Sequence, residues 1–213
     1  MENLGEHTDH RPFILGITGG IGSGKSTVCS IIESFGVGVF YADREGKRIL
    51  QSDPTAIAEV VREFGPESYD EDGILNRGLI ASIVFNDADR LAKLNEIVHP
   101  RVRTSFDEFV QDHIDSKLVV HESAIIFEAG LSEHFDAIVV VEATLERRLE
   151  WALNDGKSED SFRSRMSKQM EEEELRQLAD YIVFNNGSID DLEDEVELLL
   201  RSLLFLPQKH GQS

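Results

Sequence analysis

Residues Gly19-Gly20-Ile21-Gly22-Ser23-Gly24-Lys25-Ser26-Thr27 constrain this chain more than any other stretch. From Gly19 to Ser26 they fit G-x-x-x-x-G-K-[ST], the pattern of a phosphate-cradling P-loop. Glycines let the backbone turn tightly and approach an anion with no Cβ in the way. Successive N–H groups then line a concavity at a helix N-terminus. Lys25 is placed to reach the β- and γ-phosphates, and the Ser26 hydroxyl to hold Mg²⁺. The candidate triphosphate-binding residues are Gly20, Ile21, Gly22, Ser23, Gly24, Lys25, Ser26 and Thr27.

The flanks have the required order. Phe13-Ile14-Leu15-Gly16-Ile17-Thr18 reads as a buried strand. Val28, Ile31, Ile32 and Phe35 recur at helical spacing, and Gly36 is placed as a helix stop. The G-x-G-x-x-G dinucleotide fingerprint fails, because its third glycine would fall on Lys25. A glycine-rich turn that binds nothing is the other reading, and it does not call for strand, loop and helix in that order.

Composition bounds the class. A chain of 213 residues with 40% hydrophobic content suits one domain with a proper core. No apolar run approaches the roughly 20 residues of a membrane span, and no secretory signal opens the chain. Cys29 is the single cysteine. It fits a reducing cytoplasm and reads as a small buried hydrophobe or a reactive thiol. The formal net charge is −20, with 41 acidic against 21 basic residues. Such a surface excludes general nucleic-acid binding, which needs clustered Lys and Arg. Basic groups that meet an anionic ligand must therefore be concentrated at its site. The acidity fits either a high-salt cytoplasm or ordinary acidic solubility. The patterning leaves oligomeric state open, with a monomer favoured.

Along the chain, Val37–Tyr41 reads as a second strand that ends at Ala42-Asp43. Asp53-Pro54 caps a helix that stops at Gly65. Helices are expected near Arg77–Phe85 and Asp87–Val98, and another opening at Pro100. Lys117–His121, the apolar run Ala124–Glu128, Ala137–Val141 and Tyr181–Phe184 carry the β pattern. Thr144–Leu153, Ser158–Met170, Glu171–Ala179 and Ile189–Leu206 read as helices. The expected fold is α/β: a three-layer P-loop NTPase with a parallel sheet. One domain is expected over residues 12–206. Its core is 12–43 and 117–206, with a helical acceptor-binding insertion at 44–116 and a lid at about 150–178. Residues 1–11 and 207–213 read as tails.

Beyond the P-loop, the chain resembles the dephospho-coenzyme A kinases. Ile17–Ser26 is similar to their opening. Ala42-Asp43 resembles their acidic motif, and Ile97-Val98-His99-Pro100-Arg101-Val102-Arg103 their I-x-H-P-x-x-R. Ile125-Ile126-Phe127-Glu128 resembles an L-L-F-E strand, and Ser164–Gln169 the A-R-I-x-x-Q lid. Ala179–Gly187 resembles A-D-x-V-I-x-N-x-G. The likeness spans 13–204. It implies transfer of the γ-phosphoryl group of ATP to the ribose 3′-hydroxyl of dephospho-CoA, with Mg²⁺.

Residue chemistry agrees with that reaction class, in which a protein mainly positions groups and neutralises charge. Asp43 is the candidate proton acceptor or orienting group, and a helix N-cap is its other reading. His99 either contacts the acceptor or satisfies a turn. Arg103 either neutralises an acceptor phosphate or is a solvated surface arginine. Glu122, or Glu128 in its place, could help to hold Mg²⁺. The resemblance suggests that Asn185 reads adenine; a turn-forming Asn explains it without function. The family's lid-opening arginine is replaced by Asn154, and a second by Glu150. Arg147, Arg148, Arg163 or Arg165 could supply that charge, and Arg165 fits the family pattern best. Kinases of nucleoside monophosphates or sugar acids share the loop but lack the His99-Pro100 and Ala179–Gly187 elements. A nucleotide switch would carry an N-K-x-D element, which is absent.

Overall fold

The computed structural model describes residues 11–85 and 87–203. The expected tails at 1–10 and 207–213, and the expected domain end at 204–206, lie outside them. The described residues form two compact units. One holds the residues through Phe40 and those from His113 onward; the other is Tyr41–Asp112.

The first unit is built on five strands: β1 (Phe13–Thr18), β2 (Gly38–Tyr41), β3 (Leu118–Glu122), β4 (Ala137–Glu142) and β5 (Tyr181–Phe184). Their order is β2-β3-β1-β4-β5. Strand β1 runs parallel to β3, from Phe13↔Leu118 to Ile17↔Glu122, and parallel to β4, from Leu15↔Ala137 to Thr18↔Val140. Strand β5 is parallel to β4. Strands β3 and β4 are buried along their whole length. That is why they read as near-continuous apolar runs. Two aspartates pin the ladders. Asp136 Oδ2 accepts from Ile14 N at 2.7 Å, and Asp180 Oδ2 accepts from Ile138 N at 2.8 Å. Arg11, expected within a tail, forks onto Asp136 with two 2.8 Å hydrogen bonds.

Helix α1 (Lys25–Ser34) buries Val28, Cys29, Ile31 and Ile32. Phe35 falls beyond it and is exposed, and Gly36 takes φ 79° at the stop. In the second unit, α2 (Ala42–Ser52), α3 (Pro54–Phe64), α4 (Arg77–Phe85) and α5 (Ala88–Asp112) enclose a core of Ile49, Ala56, Val60, Phe64, Leu75, Ile80 and Ile97. Asp53 caps α3 by accepting from Ala56 N at 2.8 Å. Back in the first unit, α6 (Leu145–Asn154), α7 (Glu159–Met166), α8 (Glu172–Leu178) and α9 (Ile189–Ser202) follow. Their starts are capped by Thr144 (α6), Ser158 (α7) and a Ser188–Asp191 capping box (α9).

The structure corrects several expectations. Pro100 does not open a helix; it lies inside the continuous α5. Proline removes one N–H from the ladder, but Ile97 on one side and Phe106 and Val110 on the other are buried. Arg101 Nη1 also donates to the Ile97 carbonyl at 2.6 Å. Tertiary burial thus outweighs the local break. Ala124–Glu128 is not a strand but a series of turns. Ile126 is fully buried, Ile125 is exposed, and Ala129 N donates to the Ile125 carbonyl at 2.9 Å. Strand β2 ends at Tyr41, and Ala42-Asp43 already belong to α2. The helices expected to form the lid are also shorter than expected: α7 stops at Met166 and α8 at Leu178.

Candidate active site

The loop between β1 and α1 takes backbone conformations that favour glycine. Gly19, Gly22 and Gly24 have φ of 142°, 76° and 92°. Gly24 is the left-handed N-cap of α1. A Cβ on Gly19 would lie 2.3 Å from the Val141 carbonyl oxygen, and one on Gly24 would lie 2.0 Å from Asn185 Nδ2. Both positions therefore exclude a side chain twice over, by conformation and by neighbours. The first amides of a helix have no intrahelical acceptor, and Gly24 offers no side chain to take them. Those amides and the positive end of α1 suit an anion.

Lys25 Nζ donates to the Gly19 carbonyl at 2.9 Å and to the Gly20 carbonyl at 3.2 Å. The ammonium thus lies over the loop itself. Ser26 and Thr27 are exposed in the first turn of α1. Ser23 Oγ and Thr18 Oγ1 are buried without a hydrogen-bond partner among the described residues.

Side chains from distant segments hold the loop. Arg148, only 2% exposed on α6, donates through Nε to the Ile21 carbonyl at 2.7 Å. Its Nη1 pairs with Glu172 in the first turn of α8. Burial draws the Arg148 pKa down, and Glu172 opposes that shift. Gln169 Oε1 accepts from Ile21 N at 2.6 Å, and its Nε2 donates to the Ala124 carbonyl at 3.3 Å. Asn185 Nδ2 donates to the Ser23 carbonyl at 3.0 Å. Asn185 is therefore beside the loop, with its amide engaged on main chain.

The other candidates are distributed as follows. Arg165 is exposed in the last turn of α7, with no side-chain hydrogen bond among the described residues. Arg163 pairs with Glu159, and Arg147 donates to the Gly187 carbonyl at 3.0 Å. Of these four arginines, Arg148 is the one that hydrogen-bonds the loop. Glu122 closes β3 beside Ile17 of β1, buried at the strand ends. Glu128 accepts from Met170 N at 3.1 Å and so anchors the connection between α7 and α8. No group of three or more His, Cys, Asp or Glu among the described residues is placed to hold a metal.

In the second unit, Asp43 is exposed in the first turn of α2, whose N-cap is Tyr41. The N-cap reading of Asp43 is thereby displaced: a residue inside the helix cannot be the cap. His99 and Arg103 are both exposed on α5, one helical turn apart. Desolvation lowers the His99 pKa below the usual histidine value. His99 does not sit at a helix start, since α5 runs through it.

Sequence reasoning missed two contributors. Gln169 appeared only as part of a lid pattern; its 148-residue separation from Ile21 hides the contact. Glu142, buried at the end of β4, was not singled out, yet Arg176 of α8 holds it through three hydrogen bonds of 2.7–2.9 Å. An acidic residue closing an otherwise apolar strand was the available signal.

Comparison with known proteins gives a consistent result. The family model described as dephospho-CoA kinase matches residues 13–191. The chain is 44% identical to a dephospho-CoA kinase of Salinibacter ruber over 181 residues, covering 84% of this chain and 91% of that one. It is 39% identical to the dephospho-CoA kinase of Chlorobaculum tepidum, covering 91% and 96%. The solved structure of TT1252 from Thermus thermophilus superposes with a TM-score of 0.81 at 36% identity, covering 91% of this chain and 98% of that one. With the glycine loop, the parallel sheet and the family model in agreement, the chain belongs to the dephospho-CoA kinase family.

Proposed function

We propose that residues Gly20–Thr27 hold the triphosphate of ATP and that the γ-phosphoryl group passes to the ribose 3′-hydroxyl of dephospho-CoA, giving coenzyme A and ADP. Enzymes of this family phosphorylate dephospho-CoA in the last step of coenzyme A synthesis. The observation that carries the reading is the loop itself: three positive-φ glycines, an uncapped helix start and Lys25 Nζ lying over the loop carbonyls.

Each role follows from its chemistry. Lys25 turns from the Gly19 and Gly20 carbonyls to the β/γ-phosphate oxygens, trading two neutral acceptors for charged ones. The Ser26 hydroxyl, exposed at the start of α1, and the Glu122 carboxylate are the groups that would hold Mg²⁺. Magnesium keeps few protein ligands and takes phosphate oxygens, so a sparse protein set suits it. When bound, it neutralises charge on the β- and γ-oxygens. Asp43 orients the acceptor hydroxyl and takes its proton as oxygen attacks phosphorus and the bond to the β-phosphate oxygen breaks. His99 and Arg103 bind the acceptor, with Arg103 opposite one of its phosphates. Asn185 borders the nucleotide through its hold on Ser23. The lid supplies the cation for the transferring group. Arg165 is assigned that part, because its guanidinium has no partner to leave among the described residues, whereas Arg148 is engaged by Ile21 and Glu172.

The test is direct. The purified protein with MgATP and dephospho-CoA is expected to add one phosphate to the acceptor, seen by mass spectrometry, with one ADP released per turnover. ADP release without acceptor phosphorylation would refute the assignment. No helix among the described residues is long and apolar enough to cross a membrane; we place the reaction in the cytoplasm, where the single buried thiol is at home.

A further inference from the structure

We infer that Gln169 is a positioning residue for phosphoryl transfer and that it acts on Lys25 through the Gly20–Ile21 peptide. This rests on the reading of the glycine loop as the ATP site. Ile21 N–H donates to Gln169 Oε1 at 2.6 Å. The carbonyl of the same peptide, on Gly20, accepts from Lys25 Nζ at 3.2 Å and from Ser23 N at 3.1 Å. In a trans peptide the N–H and C=O point to opposite sides of one rigid plane. A side chain that holds the N–H therefore sets the direction of the carbonyl, and with it the resting place of the lysine. The next peptide is held too, since the Ile21 carbonyl accepts from Arg148 Nε at 2.7 Å. Both polar backbone groups of Ile21 are thus held by side chains from the lid half of the chain.

The residue type fits the task. Gln169 stands between α7, which ends at Met166, and α8, which starts at Glu172. It needs an acceptor for Ile21 N–H and a donor for the Ala124 carbonyl 3.3 Å away, and a primary amide supplies both. A neutral acceptor also adds no negative charge beside a triphosphate. Met170 N is anchored on Glu128 at 3.1 Å, which limits how far Gln169 can drift. The lid segment and the phosphate loop are thereby joined through one side chain.

Two variants separate this from a purely structural role. Gln169→Met keeps the length and loses the acceptor. Gln169→Glu keeps an acceptor oxygen for Ile21 N–H and adds a charge. For Gln169→Met we expect kcat/KM for MgATP to fall about tenfold, the order of an unmade buried hydrogen bond, with KM for dephospho-CoA and the melting temperature close to those of the unaltered protein. For Gln169→Glu we expect kcat near the unaltered value with a raised KM for MgATP. Unaltered kinetics in Gln169→Met would overturn the inference. So would equal losses of kcat in both variants, because the acceptor oxygen would then not matter. Should Gln169→Met fail to fold, Gln169→Glu still decides: kcat below a tenth of the unaltered value overturns the inference, and retained kcat supports it. Failure of the unaltered protein to bind MgATP in a calorimeter would instead overturn the ATP reading of the loop, and the inference with it.

Discussion

His121 shows how one buried side chain ties pH to stability. It is 5% exposed on β3, with its ring 5.4 Å from Phe40 and 5.2 Å from Phe135. Burial among these rings pushes its pKa from 6.5 to about 4, helped by the nearby positive charge of His134. The folded state therefore prefers the neutral ring. Stability from this group is complete above pH 6.5 and is lost as pH falls through the window down to about 4. The full effect is about 3 kcal/mol, because a tenfold change in proton affinity corresponds to about 1.36 kcal/mol. Urea titrations of the unaltered protein and His121→Leu across that window check it. The stability of the unaltered protein should drop by up to that amount relative to the variant. Parallel curves would mean that His121 takes up its proton as readily in the folded protein as in the unfolded chain, and would refute the link. At this same scale Gly19 and Gly24 were legible in the sequence, because the phosphate-loop pattern demands them. The reason in the fold, a collision with Val141 or Asn185, was not legible, since those neighbours are far along the chain.

Helix α5 carries the clearest lesson about elements. Local rules place a break at His99-Pro100, as the residue before proline avoids helical angles. The helix nevertheless runs from Ala88 to Asp112. Apolar burial on both sides of Pro100 sets the outcome, and no local rule contains that contribution. Pro100→Ala restores an N–H for the Glu96 carbonyl. A mid-helix proline costs ~3 kcal/mol, offset by up to ~1 kcal/mol because proline also restricts the unfolded chain. We expect a gain of about 1–2 kcal/mol in chemical denaturation. No gain would show that the neighbours of Pro100 already compensate for the missing bond. Where sequence signals agree with packing, they were read well. Asp53-Pro54 starts α3, and α9 starts at Ile189, both as expected. The run Ala124–Glu128 misled because four apolar residues in a row suit a buried strand and a packed turn equally, and only the fate of Ile125 and Ile126 separates them.

At the scale of the molecule, charge dominates. A formal net of −20 on 213 residues means self-repulsion in dilute buffer. At molar salt the Debye length contracts to about 3 Å, and that repulsion is screened. We expect the melting temperature to rise between 0.05 M and 2 M KCl, by about 2–4 °C for each kcal/mol recovered. A flat or falling melting temperature would refute adaptation to a salty cytoplasm. The α/β class, the parallel sheet and the phosphate loop were all readable from patterning. The hold of Arg148 and Gln169 on that loop was not, because it depends on contacts between residues more than a hundred positions apart. Cys29, the chain's single thiol, is wholly enclosed in the inner face of α1. A cysteine introduced on an outward-facing position of α7 would then be the sole sulfur that a maleimide meets under native conditions. Fluorescent reporters of the position of α7 could be attached at one chosen site without first engineering the native sulfur away.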